Sequence, residues 1–130
     1  MIILSFDVEP VAKGRPRFNT KTGRTYTPAK TKKFETFIMR TAEDQYKDEP
    51  LEGPLEVIIE FFITRPKSVS IEKRPYPIVK PDLDNFIKGV LDGLNGITWY
   101  DDNQIINLTA RKRYAAPGTT GGIVIDIRKV

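Results

Sequence analysis

The chain has 130 residues, of which 39% are hydrophobic and 29% charged, and a net charge of +4; that is enough for one domain with its own core and too little for two comfortable ones. It contains no cysteine and no histidine, which excludes disulfides, thiolate chemistry, zinc–thiolate sites and imidazole as base, nucleophile or ligand, and leaves carboxylates, lysine, hydroxyls or water on a metal. No run reaches the roughly 20 apolar residues that span a bilayer, and the opening MIILSFDVEP is too short and too acidic for a secretory signal, so a cytoplasmic protein without a membrane partner is expected.

The first element is IILSFDVE, where Ile2, Leu4, Phe6 and Val8 recur at every second position, on one side of a strand with one buried face. Residues 10–24 are basic and punctuated by Gly and Pro, the pattern of a loop or ribbon. Thr27-Pro28 offers a hydroxyl N-cap followed by proline in the first turn, and Phe34, Phe37, Ile38 and Thr41 recur at helical spacing, so a helix is predicted from about 28 to 46. PLEVIIEFFIT, 54–64, is rich in β-branched and aromatic residues and reads as a central strand. Residues 65–80 hold three prolines and no periodicity, a long loop of the kind that is functional or disordered.

A second helix is expected from about 83 to 95, with Phe86, Ile87, Val90, Leu91 and Leu94 within an arc of about 140°. Asp84, Lys88 and Asp92 line its polar side at i, i+4, i+8. LNGI turns the chain back, and 103–114 and 121–129 read as two strands in a hairpin-like pair around APGTTGG. The order β-α-β-α-β-β predicts an α/β (α+β) fold: one domain over 1–130, with a mixed sheet of about four strands and two main helices packed on it.

Charge is segregated along this order. Residues 13–33 carry eight Lys/Arg and no acid, residues 65–80 five bases against Glu72 alone, and residues 82–102 five aspartates against Lys88 alone. Two carboxylates one residue apart, as in KPDLDN at 80–85, repel each other unless a cation lies between them. A D-x-D pair with a third Asp from a neighbouring strand suits one or two hard divalent ions, Mg²⁺ above all. Such a site hydrolyses phosphodiesters without histidine or cysteine. The plainer alternative is helix capping by PDLDN and a solvated turn at Asp101-Asp102. If residues 100–104 are extended, Asp101 and Asp102 face opposite ways, so only one of them joins the ion directly.

The stretch KPDLDNFIKGVLDGLNGITWYDDNQI resembles the signature of the RusA-type Holliday-junction resolvases, small Mg²⁺-dependent endodeoxyribonucleases of bacteria and phages. The match comprises the D-x-D-N start, a lysine six residues after the first Asp, an Asp four beyond it, and the closing D-D-x-Q; KGRPRF and YTPAKTKKFE are similar to the family's amino-terminal part. The resemblance implies that Asp82, Asp84 and Asp102 are catalytic metal-site acids, that Lys88 contacts the scissile phosphate or balances the acids, and that Asp101 and Asp92 fill acidic positions of less defined role. The LNGITWY turn is more compact than in some relatives, which leaves the choice of Asp102 over Asp101 open.

It further implies one or two Mg²⁺ per site, with Mn²⁺ as a substitute, and cleavage of four-way DNA junctions to 5′-phosphate and 3′-hydroxyl ends, in recombination and repair. Paired nicks on a two-fold substrate call for two active sites and hence a homodimer. Phosphate contacts are expected from Lys13, Arg15, Arg17, Lys21, Arg24 and Lys30, and from Lys67, Lys73 and Arg74 with Arg65 in the second basic loop, because a carboxylate cluster repels DNA unless flanking cations outweigh it. Gly14 and Gly23 would let backbone approach a ligand. Phe18 and Tyr26 are expected to pack on the sheet, with base stacking as the alternative; Tyr76 is a stacking candidate, and Trp99 a core residue fixing the acidic strand. The competing functions are a non-catalytic branched-DNA-binding protein and a metal-dependent nuclease for other nucleic-acid structures.

Overall fold

Alternation decides which strand takes the centre. In Leu55–Ile63, Leu55, Val57, Ile59 and Phe61 are fully buried on one face, while Glu56, Ile58, Glu60 and Phe62 are half-buried on the other. The computed structural model describes residues 1–14, 17–26 and 28–130, excluding the side chains of Arg17 and Tyr26. Arg15, Pro16 and Thr27 lie outside the described residues, and so does the expected Thr27 cap. The elements in chain order are β1 (Ile2–Phe6), β2 (Arg17–Asn19), β3 (Arg24–Tyr26), α1 (Ala29–Gln45), β4 (Leu55–Ile63), α2 (Leu83–Leu94), β5 (Ile105–Tyr114) and β6 (Gly122–Lys129).

Four strands form a mixed sheet in the order β1-β6-β4-β5, and β2 and β3 form a separate short ribbon. The fold class is therefore the expected α+β arrangement of two helices and a four-stranded mixed sheet. The expected β5–β6 hairpin is not formed. The two strands flank β4, with β5 parallel to it and β6 antiparallel to it. Composition explains the sorting: β4 is apolar enough for the middle, whereas β5 carries Thr109, Arg111 and Arg113 and suits an edge, where charge discourages further pairing. β6 pairs with β1 on its other side, Ile2 opposite Ile127 and Phe6 opposite Ile123. The outer edge of β1 is met by Gln45 of α1, whose amide accepts from the Ser5 N–H at 2.9 Å and donates to the Ser5 carbonyl at 2.5 Å, as a neighbouring strand would.

A parallel β4–β5 pair needs a crossover, and the chain between them supplies α2. Phe86 of α2 stacks on Phe61 of β4 with ring centroids 5.4 Å apart. α1 presents Thr31, Phe34, Ile38 and Ala42 inward. Phe37, expected in that stripe, is 40% exposed, because it is one residue from Ile38 and so about 100° around the helix. The helices meet at glycine: a Cβ on Gly93 would lie 2.9 Å from Ile38 Cβ, inside the closest ordinary contact.

Candidate active site and basic arm

The acidic residues sit on the β4–β5 crossover in two places, the head of α2 and the turn before β5. Asp82 is the N-cap of α2, and its carbonyl accepts from the N–H groups of Asn85 and Phe86 at 3.1 and 3.4 Å. Its carboxylate makes no capping hydrogen bond. An N-cap aspartate normally spends its side chain on the first free N–H groups; this one is exposed and leaves its oxygens to other partners. Asp84, also exposed, follows in the first turn, where the helix dipole favours negative charge. The approach to Asp82 is braced from the sheet: Lys112 of β5 donates to the carbonyls of Val79 and Pro81 at 2.8 and 3.1 Å.

The second acidic place is shaped by Trp99 and Gln104. Trp99 is completely buried, as expected, and its indole N–H donates to Asn95 Oδ1 at 2.6 Å. Gly96 makes the turn with φ +83, a conformation that favours glycine. Residues 102–104 then form a single 3-10 turn before β5, which replaces the extended path considered for 100–104. Asp101 caps that turn, accepting from the Asn103 N–H at 3.1 Å. Gln104 completes a capping box: its Oε1 accepts from the N–H groups of Tyr100 and Asp101 at 2.8 and 3.0 Å, and its amide donates to the carbonyls of Leu51 and Gly53 at 2.8 and 3.1 Å.

The curl brings Asp101 and Asp102 side by side, not to opposite faces. Burial first, then a hydrogen bond to Asp101 and repulsion from it, push the Asp102 carboxyl above the ordinary carboxylate range; Lys88 pulls it down in part and Asp92 adds to the rise. Asp102 thus lies within reach of the charges of Lys88 and Asp92 on α2, and Asp84 is one helical turn from Lys88, about 6 Å along the axis. Among the described residues, no three carboxylates close into a group that holds a metal ion by themselves. The donor chemistry nevertheless fits a hard divalent cation: the oxygens are carboxylate oxygens, the Asp82 carboxylate is not spent on capping, and the Asp101–Asp102 pair carries a repulsion that a cation would relieve.

Among the described side chains, the expected phosphate ligands divide into exposed and engaged groups. Lys21 and Arg24 are exposed on the β2–β3 ribbon, Lys30 is exposed at the start of α1, and Lys67 and Lys73 are exposed in the 65–80 loop. Lys13 is engaged. Its ammonium pairs with Glu35 and with Asp92, 3.1 Å from Asp92 Oδ2; burial alone would lower its pKa, and the two hydrogen-bonded carboxylates outweigh that and raise it. Arg74 is engaged as well, its Nε 2.8 Å from the Tyr114 hydroxyl. Arg65 lies over the Tyr114 ring at 4.1 Å and donates to the carbonyls of Ser70 and Arg74 at 3.2 and 2.8 Å, so the long loop is knit to β5. Tyr76 stays 68% exposed.

Two glycine roles and one aromatic role differ from expectation. Gly14 meets the protein itself, since a Cβ there would lie 2.7 Å from Thr31 Oγ1, and Gly23 serves the ribbon turn with φ +69. Phe18, expected against the sheet, is 61% exposed, because strands of three residues offer no second layer to cover it. The arm's root touches the acidic helix, the Lys13 N–H donating to the Asn85 carbonyl at 2.9 Å. Sequence reasoning missed Lys112, whose partners are more than 30 residues away and leave no local trace. It treated Gln104 only as the end of a motif, although D-x-x-Q is itself a legible capping pattern.

Among the described residues, no helix is long and apolar enough to cross a membrane. The family model for Endodeoxyribonuclease RusA matches residues 7–128. Uncharacterized protein YqaN of Bacillus subtilis (strain 168) is 35% identical over 118 residues, covering 82% of this chain and 83% of the relative.

Proposed function

The chain belongs to the RusA family of endodeoxyribonucleases, and from that premise we propose that it resolves four-way DNA junctions by paired symmetric nicks, in the cytoplasm, during recombination and repair. It acts as one domain over residues 1–130 and as a homodimer, one active site for each of the two nicks. The reading is supported most by one juxtaposition: a basic arm is hydrogen-bonded at its root to the first turn of the helix that begins at Asp82, whose carboxylate is not spent on capping.

Asp82, Asp84 and Asp102 hold one or two Mg²⁺, with Mn²⁺ as a substitute. When bound, the cation supplies charge neutralisation at the phosphodiester and a stronger nucleophile from water. Asp101 shapes the turn that presents Asp102. Lys88, beside Asp102, meets the negative charge that builds on the scissile phosphate. Arg15, Arg17, Lys21 and Arg24 of the arm, with Lys30, Lys67 and Lys73, grip backbone phosphates without reading sequence. Water attacks phosphorus in line and the 3′-oxygen leaves, giving 5′-phosphate and 3′-hydroxyl ends.

The test is a nicking panel on a four-way junction, a flap, a linear duplex and RNA, each with Mg²⁺ and with chelator. Wild type should nick the junction with Mg²⁺ only. Asp82→Asn should lose nicking while binding the junction as well as wild type or better, since one carboxylate facing the phosphates is gone. Wild-type nicking by Asp82→Asn would remove the assigned site. An absence of Mg²⁺-dependent nicking on every branched substrate would leave a branched-DNA-binding protein instead.

A further inference from the structure

A small charge cluster joins the basic arm to the acidic helix, and the mechanism above does not use it. Lys13 lies between Glu35 of α1 and Asp92 of α2, and the side chains of Lys13 and Glu35 are each 22% exposed. Asp92 is similarly sheltered, at 25%. One of its oxygens, Oδ2, takes Lys13 at 3.1 Å; the other, Oδ1, faces Lys88 Nζ at 3.8 Å. Lys88 is 61% exposed. One carboxylate is therefore shared between a lysine that is fully engaged and a lysine that is only half held.

An exposed lysine on four rotatable bonds samples many positions, and an exposed i, i+4 pair alone restrains it little. The restraint gains from Asp92 being unable to turn away, since Lys13 fixes its other oxygen where solvent screening is reduced. Lys13 is itself seated by backbone: its N–H donates to the Asn85 carbonyl at 2.9 Å, and the next N–H, of Gly14, donates to Thr31 Oγ1 at 2.8 Å. The arm's root is thus bound to both helices at one point. With two carboxylates on its ammonium and little of its side chain exposed, Lys13 has no charge to spare for a phosphate.

We propose that Asp92 is a positioning residue that holds Lys88 at the acidic centre, and that Lys13 locks Asp92 and ties the arm to the same helix in place of contacting DNA. The inference rests on the reading of Lys88 as the group that meets the scissile phosphate. Through this cluster, a pull on the arm by bound DNA reaches the helix carrying Lys88 by two bonded contacts, the Lys13 N–H to the Asn85 carbonyl and the Lys13 ammonium to Asp92.

The experiment is a double-mutant cycle on junction nicking under single-turnover conditions with enzyme in excess, using wild type, Asp92→Asn, Lys88→Ala and the double variant, with Lys13→Met and Lys13→Arg assayed alongside. It is paired with junction binding in chelator across a salt series for wild type and Lys13→Met. Asp92→Asn should lower the nicking rate about tenfold or more, in the range typical of residues that orient a catalytic group, with junction affinity unchanged. In the Lys88→Ala background it should cost nothing further, because the group it positions is absent. Lys13→Met should reproduce the rate loss with the salt dependence of wild type, and Lys13→Arg should recover most of it.

A full Asp92→Asn loss persisting without Lys88 would overturn the positioning role. A salt slope shallower by about 1 for Lys13→Met would make Lys13 a phosphate contact. Thermal melting reports folding; if Asp92→Asn does not fold, Asp92→Glu keeps the charge, moves it by one methylene and enters the same cycle. Wild-type nicking by Lys88→Ala would overturn the reading of Lys88 itself, whereas an impaired Lys88→Ala with additive Asp92→Asn loss overturns this inference alone.

Discussion

Gln104→Ala removes the brace of the turn that carries Asp102. The side chain makes four hydrogen bonds, two accepted from Tyr100 and Asp101 and two donated to Leu51 and Gly53. A net hydrogen bond contributes about 0.5–1.5 kcal/mol. Three of these four are exposed, so water replaces much of what is lost, and only the bond to the Leu51 carbonyl is partly buried. Taking the low end for each gives about 2 kcal/mol in total. For a domain of this size that corresponds to a fall in Tm of about 8 °C. The same change frees the Asp101–Asp102 turn, so half-maximal nicking should need more Mg²⁺ than in wild type. Calorimetric or circular-dichroism melting in chelator measures the first effect, and a Mg²⁺ titration of junction nicking the second. A Tm within about 1 °C of wild type would refute the bond accounting, and an unchanged Mg²⁺ requirement would refute the link from brace to site.

Gly93→Ala should destabilise by about 1–3 kcal/mol, the usual range for overpacking, because the new methyl would meet Ile38 Cβ at 2.9 Å and the Glu35 carbonyl at 3.2 Å; a higher Tm, as helix propensity alone would give, contradicts that packing. Asp102→Asn should melt above wild type at neutral pH in chelator. The folded-state carboxyl is raised by burial and by Asp101, so its ionised form opposes folding at pH 7; that opposition fades as pH falls through the raised value and is gone below the ordinary value of about 4. The advantage of the variant should therefore shrink on acidification, and Mg²⁺ should narrow it at pH 7 by stabilising wild type alone. An advantage equal at both pH values would mean that the carboxyl is not raised.

What could be read from the chain was whatever a short window contains. β4 is legible because six of its nine residues are β-branched or aromatic, and α2 because its apolar arc and its Asp84–Lys88–Asp92 stripe share one period. The acids are legible because like charges crowd a chain that is otherwise basic. Partner identity is not local. Nothing within β5 or β6 says that β4 lies between them, and a hairpin is the natural guess for neighbours seven residues apart. Lys13 reads as one more cation in a basic run, since Glu35 and Asp92 stand 22 and 79 positions away. Arg74 is engaged for the same reason by Tyr114, 40 residues on. Phe18 is the opposite case: its hydrophobicity implies a cover that a three-residue strand does not provide.

The pairing of β1 with β6 sets the timetable of synthesis. Ile2, Leu4 and Phe6 leave the ribosome well before their register partners, Ile127, Ile125 and Ile123, which lie far along the same chain. Until β6 emerges, β1 has no strand to join, and β4 has only β5. Non-local strands of this kind fold late and expose apolar edges while they wait. Nascent chains halted before residue 122 should therefore aggregate or recruit chaperones, and substitutions in β6 should lower the yield of folded protein more than equally conservative changes in α1.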